Sequence, residues 1–527
     1  MAVASWGVIG MHPSALVTAP HAAPEGRTPV DVASISRLSD VLTAAYLEEH
    51  RLLPVARDGD RVVVAHAGAP DPQTLAELAV LFDAPLELRE LPEQELLAAV
   101  HRIYGGESTT AAEMIAGLSQ SDGVSGGAGD EELIAHDLEG LANQAPVIRL
   151  VNLLLAEALE ARASDVHLEA AGRGLQVRYR IDGVLQDAPS PPAHLRAAIV
   201  SRLKIMAELD IAERRLPQDG RIRLRVNGRE LDVRVSTLPT LRGESVVLRL
   251  LDRGGRRIEL EGLGLASDTL TGLLRSATRP QGVLLATGPT GSGKTTTLYA
   301  LLERIRTGRE KIVSVEDPVE YELPSVTQVP VQAKGGLTFA RALRSILRQD
   351  PDVLLVGEMR DPETAEICTQ AALTGHLVLS TLHTNDAPSA LTRLLDLGVA
   401  DYLVASTVTM VLAQRLVRTV CAECAEPGPV GDVAAREMAQ DGYEPREVMR
   451  GRGCASCRGT GYRGRTGVYE LLEVDEAIRA ELLLRRGSGA MRRLALEKGM
   501  RPLRADGWRQ VAAGVTTPEE VLRVAQS

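Results

Sequence analysis

Gly288-Pro289-Thr290-Gly291-Ser292-Gly293-Lys294-Thr295 meets every fixed position of the phosphate-binding pattern G-x-x-x-x-G-K-[ST]. The apolar run Val283-Leu284-Leu285-Ala286 before it reads as a buried strand, and Lys294 to about Ile305 reads as a helix. Strand, glycine turn and helix start are the context that separates a phosphate site from an ordinary turn. The glycines let backbone N–H groups turn inward at the positive end of a helix dipole. Lys294 is then placed to reach the β- and γ-phosphates, and the Thr295 hydroxyl to ligate Mg²⁺. A nucleoside triphosphate is the expected ligand.

Around this turn, strands expected at 283–286, 312–315, 353–356 and 377–381 alternate with helices, which implies a mostly parallel sheet. Such a sheet presents its strand ends to the ligand, so residues there are candidates. Asp352-Val353-Leu354-Leu355-Val356-Gly357-Glu358 is an apolar strand ending in an acid, where Glu358 can act on Mg²⁺ or a water. Val315-Glu316-Asp317-Pro318 ends a second strand, and Glu316 is the best candidate for general base or water positioner. His376 and His383 bracket the strand Leu377–Leu382. His376 fits a structural role; His383, followed by Thr384 and Asn385, is placed to sense a γ-phosphate.

Arginines form two further sets. Arg341, Arg344 and Arg348 share a helix face, either a solvated basic surface or a phosphate contact. Arg214, Arg215, Arg221 and Arg234 surround Pro217-Gln218-Asp219-Gly220, outside the P-loop domain. Arginines on a separate domain suggest fingers that close over a triphosphate when domains or subunits rotate.

Cys421-x-x-Cys424 and Cys454-x-x-Cys457 make two thiolate knuckles. Four sulfurs fit tetrahedral Zn²⁺ with no open position, hence a structural metal. The gap between the knuckles exceeds the common spacing of about 15–20, so a loop or short helices must fill it. Cys368 has no partner in this pattern and reads as a core residue.

The chain has 527 residues, 44% apolar, with two Trp and two Phe, so aliphatic cores in about three or four domains are expected. A net charge of -11 argues against nucleic acid as the main partner. No long uncharged apolar run exists to span a membrane, and residues 2–20 lack the basic start of a signal peptide. The five cysteines do not look like a disulfide framework, which fits a cytoplasmic protein.

The expected architecture is α/β multidomain. Residues 1–30 are expected to be disordered. Residues 31–105 form a small α/β domain: helices near 35–50, 72–81 and 92–103, strands near Leu53–Val55, Arg61–Ala65 and 85–89. Residues 106–140 have the composition of a tether, 141–255 form a mixed α/β domain, and 256–527 form the P-loop domain with a cysteine module at about 418–465.

Several passages resemble motifs of the secretion ATPases of the type II secretion and type IV pilus superfamily, most closely the type II assembly ATPases. They are Ala161–Glu169, Arg215–Arg221, Gly288–Thr295, Leu347–Asp352, Gly357–Asp361 and Ala372–Asn385. The resemblance covers about residues 140–527 and is weaker over 30–105. It implies a RecA-like ATPase domain with an inserted zinc module. By resemblance the Walker A role falls on Lys294 and Thr295, the acidic box on Glu316, Walker B on Glu358 and the histidine box on His383. Arg221 and Arg234 take finger roles. The family implies ATP, Mg²⁺ and structural Zn²⁺, and a homo-hexamer at the cytoplasmic face of the inner membrane. Its first domain docks on a bitopic inner-membrane secretion protein, an inner-membrane platform protein is a further partner, and hydrolysis drives pseudopilus assembly.

Pilus-extension ATPases share everything from the second domain onward and are the alternative reading. A RecA-like motor on DNA is opposed by the acidic balance and the scarcity of stacking aromatics. A nucleotide-gated scaffold fits poorly with two strand-end acids.

Overall fold

The computed structural model describes residues 38, 42, 44–103, 110–120, 140–172, 174–226, 229–252, 259–332, 335–444 and 447–525. The expectation of disorder over 1–30 lies outside these residues. The chain divides into two compact units, Met1–Gly129 and Asp130–Ser527.

In the first unit, strands β1 (Leu52–Asp58), β2 (Arg61–His66) and β3 (Leu86–Glu90) form a sheet in that order. β1 and β2 pair antiparallel through a tight turn, whereas β2 and β3 pair parallel across the helix Pro72–Phe82. Asp71 starts that helix by accepting the Thr74 amide, with a proline in the first turn. Leu47, Leu52, Val64, Leu78, Leu86 and Leu96 make an aliphatic core. Of the expected 35–50 helix the structure describes Ala44–His50. A helix also forms at Ala111–Gln120, inside the stretch read as a tether. Its start is a capping box: Thr110 Oγ1 accepts the Glu113 amide at 3.2 Å, and Glu113 accepts the Thr110 amide at 3.0 Å.

The second unit begins with an antiparallel sheet carrying the helices Ala145–Glu160 and Arg196–Met206. Its strands are β4 (Ala163–Ala171), β5 (Gly174–Ile181), β6 (Val184–Asp187), β7 (Gln218–Val226), β8 (Arg229–Thr240) and β9 (Gly243–Asp252), in spatial order 6-5-4-9-8-7. Alternate positions of β4 and β5 are buried, as one covered face requires. The short β6 follows the Asp182-Gly183 turn, where both residues have positive φ.

A seven-stranded sheet organises the rest: β10 (Gly282–Thr287), β11 (Ile312–Glu316), β12 (Thr327–Pro330), β13 (Val353–Val356), β14 (Leu377–Leu382), β15 (Val408–Val420) and β18 (Tyr462–Glu473), in spatial order 12-11-13-14-10-15-18. Every pairing is parallel except β15 with β18. Val283 and Leu285 face one aliphatic core and Leu284 and Ala286 the other, so β10 is buried on both faces. That double burial is why β10, β13 and β14 read as unbroken apolar runs. Between β15 and β18 the chain forms β16 (Ala425–Pro429), the helix Asp432–Gln440 and β17 (Glu447–Gly451), which fill the gap between the two cysteine pairs.

Candidate functional site

Close packing against β15 dictates the P-loop turn. Gly288 has φ +148, and a Cβ there would lie 2.5 Å from the Gln414 carbonyl. Gly293 has φ +87, and its Cβ would meet Gln414 Nε2 at 2.8 Å. Gly293 caps the helix Lys294–Ile305 without a side-chain bond, which leaves the first-turn amides to a ligand. Ser292 Oγ is buried with no hydrogen-bond partner, an orphan that suits a turn built around phosphate oxygens. Lys294 Nζ donates to the carbonyls of Gly288 and Pro289 at 2.8 and 3.1 Å. Burial pushes this amine down to about 8, against the nearby Glu358 carboxylate, which favours the charged form, while Arg415 opposes it.

Lys294, Thr295, Glu316, Glu358 and His383 line one cleft of about 870 Å³ together with Pro289, Thr290, Gly291, Ser292 and Gly293. The parallel register does this: β11, β13 and β14 are neighbours and end at the same edge. The Ser380 and Thr381 hydroxyls tie β14 to the carbonyls of Val356 and Gly357 at 2.8 and 2.7 Å. Glu358 Oε2 takes Arg360 Nε at 2.5 Å and lies 3.5 Å from His383 Nε2. Burial, with the Lys294 charge, holds the His383 imidazole below its ordinary range, against Glu358. His376 Nδ1 lies 2.8 Å from the Ala371 carbonyl at the end of the preceding helix, the structural role expected.

Strand register lines up five charged residues across one sheet face: Arg180, Asp165, Arg249, Arg234 and Arg221 are successive cross-strand neighbours. Asp165 is the counter-ion, with Arg249 Nε at 3.0 Å and Arg180 Nε at 3.8 Å. Arg180 and Arg249 reach the P-loop cleft. Arg221 and Arg234, the expected fingers, line an adjoining cavity of about 490 Å³ that shares Arg249. Arg234 Nε is buried without a partner, and burial lowers its guanidinium pKa. Arg344 pairs with Glu363 at 2.5 Å, and Arg348 donates to the Arg344 carbonyl, so these two bond on their own surface.

Sequence reasoning missed Arg180, Arg249, Arg360 and Arg415. Arg415 is 8% exposed and donates to the carbonyls of Asn385 and Gln414 at 2.8 and 3.0 Å, which joins β15 to the loop after His383. The polar pair Gln414-Arg415 interrupting an apolar strand was the available signal. Arg180 and Arg249 sit among ordinary strand arginines and gave none.

Cys421, Cys424, Cys454 and Cys457 bring their sulfurs within 4.8 Å of one another. The pairs 421–454, 424–457 and 454–457 stand at 3.9, 3.8 and 3.7 Å. With Zn–S near 2.3 Å, a regular tetrahedron has edges of about 3.8 Å, so the donor set fits. Backbone amides of Cys454, Gly453 and Gly461 point at the sulfurs, at 3.1, 3.3 and 3.3 Å. Gly451 and Gly461 pass so closely that a Cβ on either would meet the other's carbonyl oxygen, at 2.0 and 2.4 Å respectively. Cys368 is buried in the sheet's core, where desolvation raises its thiol pKa.

Residues 140–523 match the family model of the Type II/IV secretion system protein, and residues 26–110 match the MshEN domain. The type II secretion system protein E of Xanthomonas campestris pv. campestris is 45% identical over 494 residues, 92% of this chain and 85% of that one. The type II secretion system ATPase E of Vibrio cholerae is 43% identical over 456 residues, 86% of this chain and 90% of that one. The fold is shared with the Legionella pneumophila ATPase DotB, at a TM-score of 0.53 and 20% identity, over 71% of this chain and 95% of that one. With the strand-end acids and P-loop gathered on one cleft, these matches place the chain in the Type II/IV secretion system protein family, among its type II secretion system E proteins.

Proposed function

We propose that the chain is a Mg²⁺-dependent ATPase that powers pseudopilus assembly and protein export through a type II secretion system. The observation that carries this is one cleft lined by the P-loop, Glu316, Glu358 and His383, and faced by arginines from the neighbouring sheet domain. The P-loop amides and Lys294 bind the β- and γ-phosphates. Glu316 orients the attacking water, and Glu358 and His383 stand beside the transferred phosphoryl. Thr295 and Glu358 would hold Mg²⁺, which would supply charge neutralisation of the triphosphate. Arg180 and Arg249 approach from within the chain. Arg221 and Arg234 continue the same row into the adjoining cavity, a placement suited to fingers offered to a neighbouring subunit.

The core is RecA-like, and the working form is a homo-hexamer at the cytoplasmic face of the inner membrane. Residues 31–105 dock on a bitopic secretion protein, and an inner-membrane platform protein receives the motion. The cysteine module, about 418–465, holds one structural Zn²⁺. No helix among the described residues is long and apolar enough to cross a membrane.

Phosphate release by the full-length protein tests the reading. Glu358→Gln should bind ATP and lose hydrolysis; turnover near wild type would count against it. In cells, Lys294→Ala should block export and leave pilus extension intact, whereas the converse would favour the pilus reading.

A further inference from the structure

Glu316 is 3% exposed and is gripped by side chains from three elements. Ser314, on the same strand β11, donates its hydroxyl to Glu316 Oε1 at 2.5 Å. Gln328 of β12 donates Nε2 to the same oxygen at 3.2 Å. Tyr299, on the helix that opens with Lys294, donates its hydroxyl to Oε2. Tyr299 is itself 0% exposed, and burial next to the carboxylate raises its phenol pKa well above the usual range, so it remains a donor.

Gln328 also lies 3.3 Å from the Tyr299 hydroxyl, donates to the Tyr321 carbonyl at 3.2 Å and accepts the Leu323 amide at 2.8 Å. The Tyr321 ring meets Tyr299 edge-on at 4.8 Å, and Tyr321 lines the cleft. An ionised carboxylate offers about four acceptor positions. Three are filled here, so the rotation of the group is fixed and about one position is left for the cleft. Buried polar groups that satisfy one another in this way hold each other in a single arrangement.

We propose that Tyr299 is a positioning residue for hydrolysis: with Gln328 it fixes the Glu316 carboxylate so that its remaining acceptor position meets the attacking water. Because Tyr299 belongs to the helix whose first turn grips phosphate, the same contact ties the orientation of Glu316 to nucleotide occupancy. This rests on the reading of Glu316 as water positioner.

The test compares Tyr299→Phe, Glu316→Gln and the double variant in the full-length protein, measuring kcat, KM for ATP and affinity for a fluorescent ATP analogue. Tyr299→Phe should lower kcat by roughly ten- to a hundredfold, the cost of a slightly misplaced group, with KM and affinity within about twofold. In the Glu316→Gln background it should cost no more than about twofold, because residues acting as one unit are not additive. Gln328→Met, which keeps the volume and removes the donor, should repeat the kcat-only loss and decides the matter if Tyr299→Phe does not fold. A normal kcat in Tyr299→Phe beside an impaired Glu316→Gln would overturn the inference and leave the Glu316 reading standing. Equal fold-losses in both backgrounds would overturn it too. A fully active Glu316→Gln would sink the reading and the inference together.

Discussion

His383 Nε2 lies 3.5 Å from Glu358 Oε2, the oxygen that also takes Arg360 Nε. The end of β14 is thereby joined to the end of β13 at the edge of the cleft that the P-loop lines. Desolvation and Lys294 keep His383 below the ordinary histidine value of 6.5, so the imidazole is neutral at pH 7. Protonation would turn a hydrogen-bonding contact into an ion pair that competes for the carboxylate. Turnover should therefore fall below pH 6.5, and His383→Gln should flatten that acid limb while leaving ATP affinity within about twofold. An unchanged acid limb in the variant would remove His383 from this role.

The buried Lys294 amine sets a second pH dependence. Its value is lowered from 10.5 to about 8. Between those limits the unfolded chain binds more protons than the folded one, so native stability rises with pH through the window. Phosphate binding needs the ammonium form and acts in the opposite sense. Nucleotide affinity should weaken as pH rises through about 8, with proton uptake on binding. Calorimetry in buffers of different ionisation enthalpy checks this, and binding without proton exchange at pH 8 to 9 would contradict it.

The arginine row gives unequal expectations. Arg249 reaches the cleft and is held by Asp165 at 3.0 Å, whereas Arg221 lines only the adjoining cavity. At low protein concentration, which would keep the subunits of the proposed hexamer apart, Arg249→Ala should lower the residual ATPase rate and Arg221→Ala should not. At concentrations that favour assembly, loss of a finger can cost about 10³- to 10⁵-fold, and Arg221→Ala should then fall as well. Phosphate release across a dilution series distinguishes the two.

Metal removal should act locally. Closed four-thiolate sites contribute folding energy directly, about 10–16 kcal/mol of apparent binding in zinc-finger peptides. Chelation, or Cys421→Ser, should raise hydrogen exchange over 418–465 and leave the β10–β14 core protected. Metal analysis should return about one Zn²⁺ per chain before treatment. Uniform exchange across the P-loop domain would show that the module is not an independent unit.

Much of the site was legible because its parts are contiguous in the chain. A phosphate-binding turn needs its glycines, lysine and threonine in a fixed local order, and β10, buried on both faces, leaves an unmistakable apolar run. Glu316 and Glu358 could be found because each ends such a run. The helix Ala111–Gln120 was missed because the surrounding glycines and serines outweighed one short capping signal, Thr110 with Glu113. β15 and β18 were missed as partners because an antiparallel pair closed by the cysteine module joins residues far apart in sequence.

By itself the sequence marked the phosphate-binding turn, the strand-end acids and the four cysteines, since each is a pattern of neighbouring residues with one expected chemical use. Only the tertiary structure decided which arginines line the P-loop cleft, that Tyr299 and Gln328 hold Glu316, and that Gln414 and Arg415 wall the P-loop. Strand register and sheet order bring those residues together, and both are set by packing across the whole fold rather than by any local run of side chains.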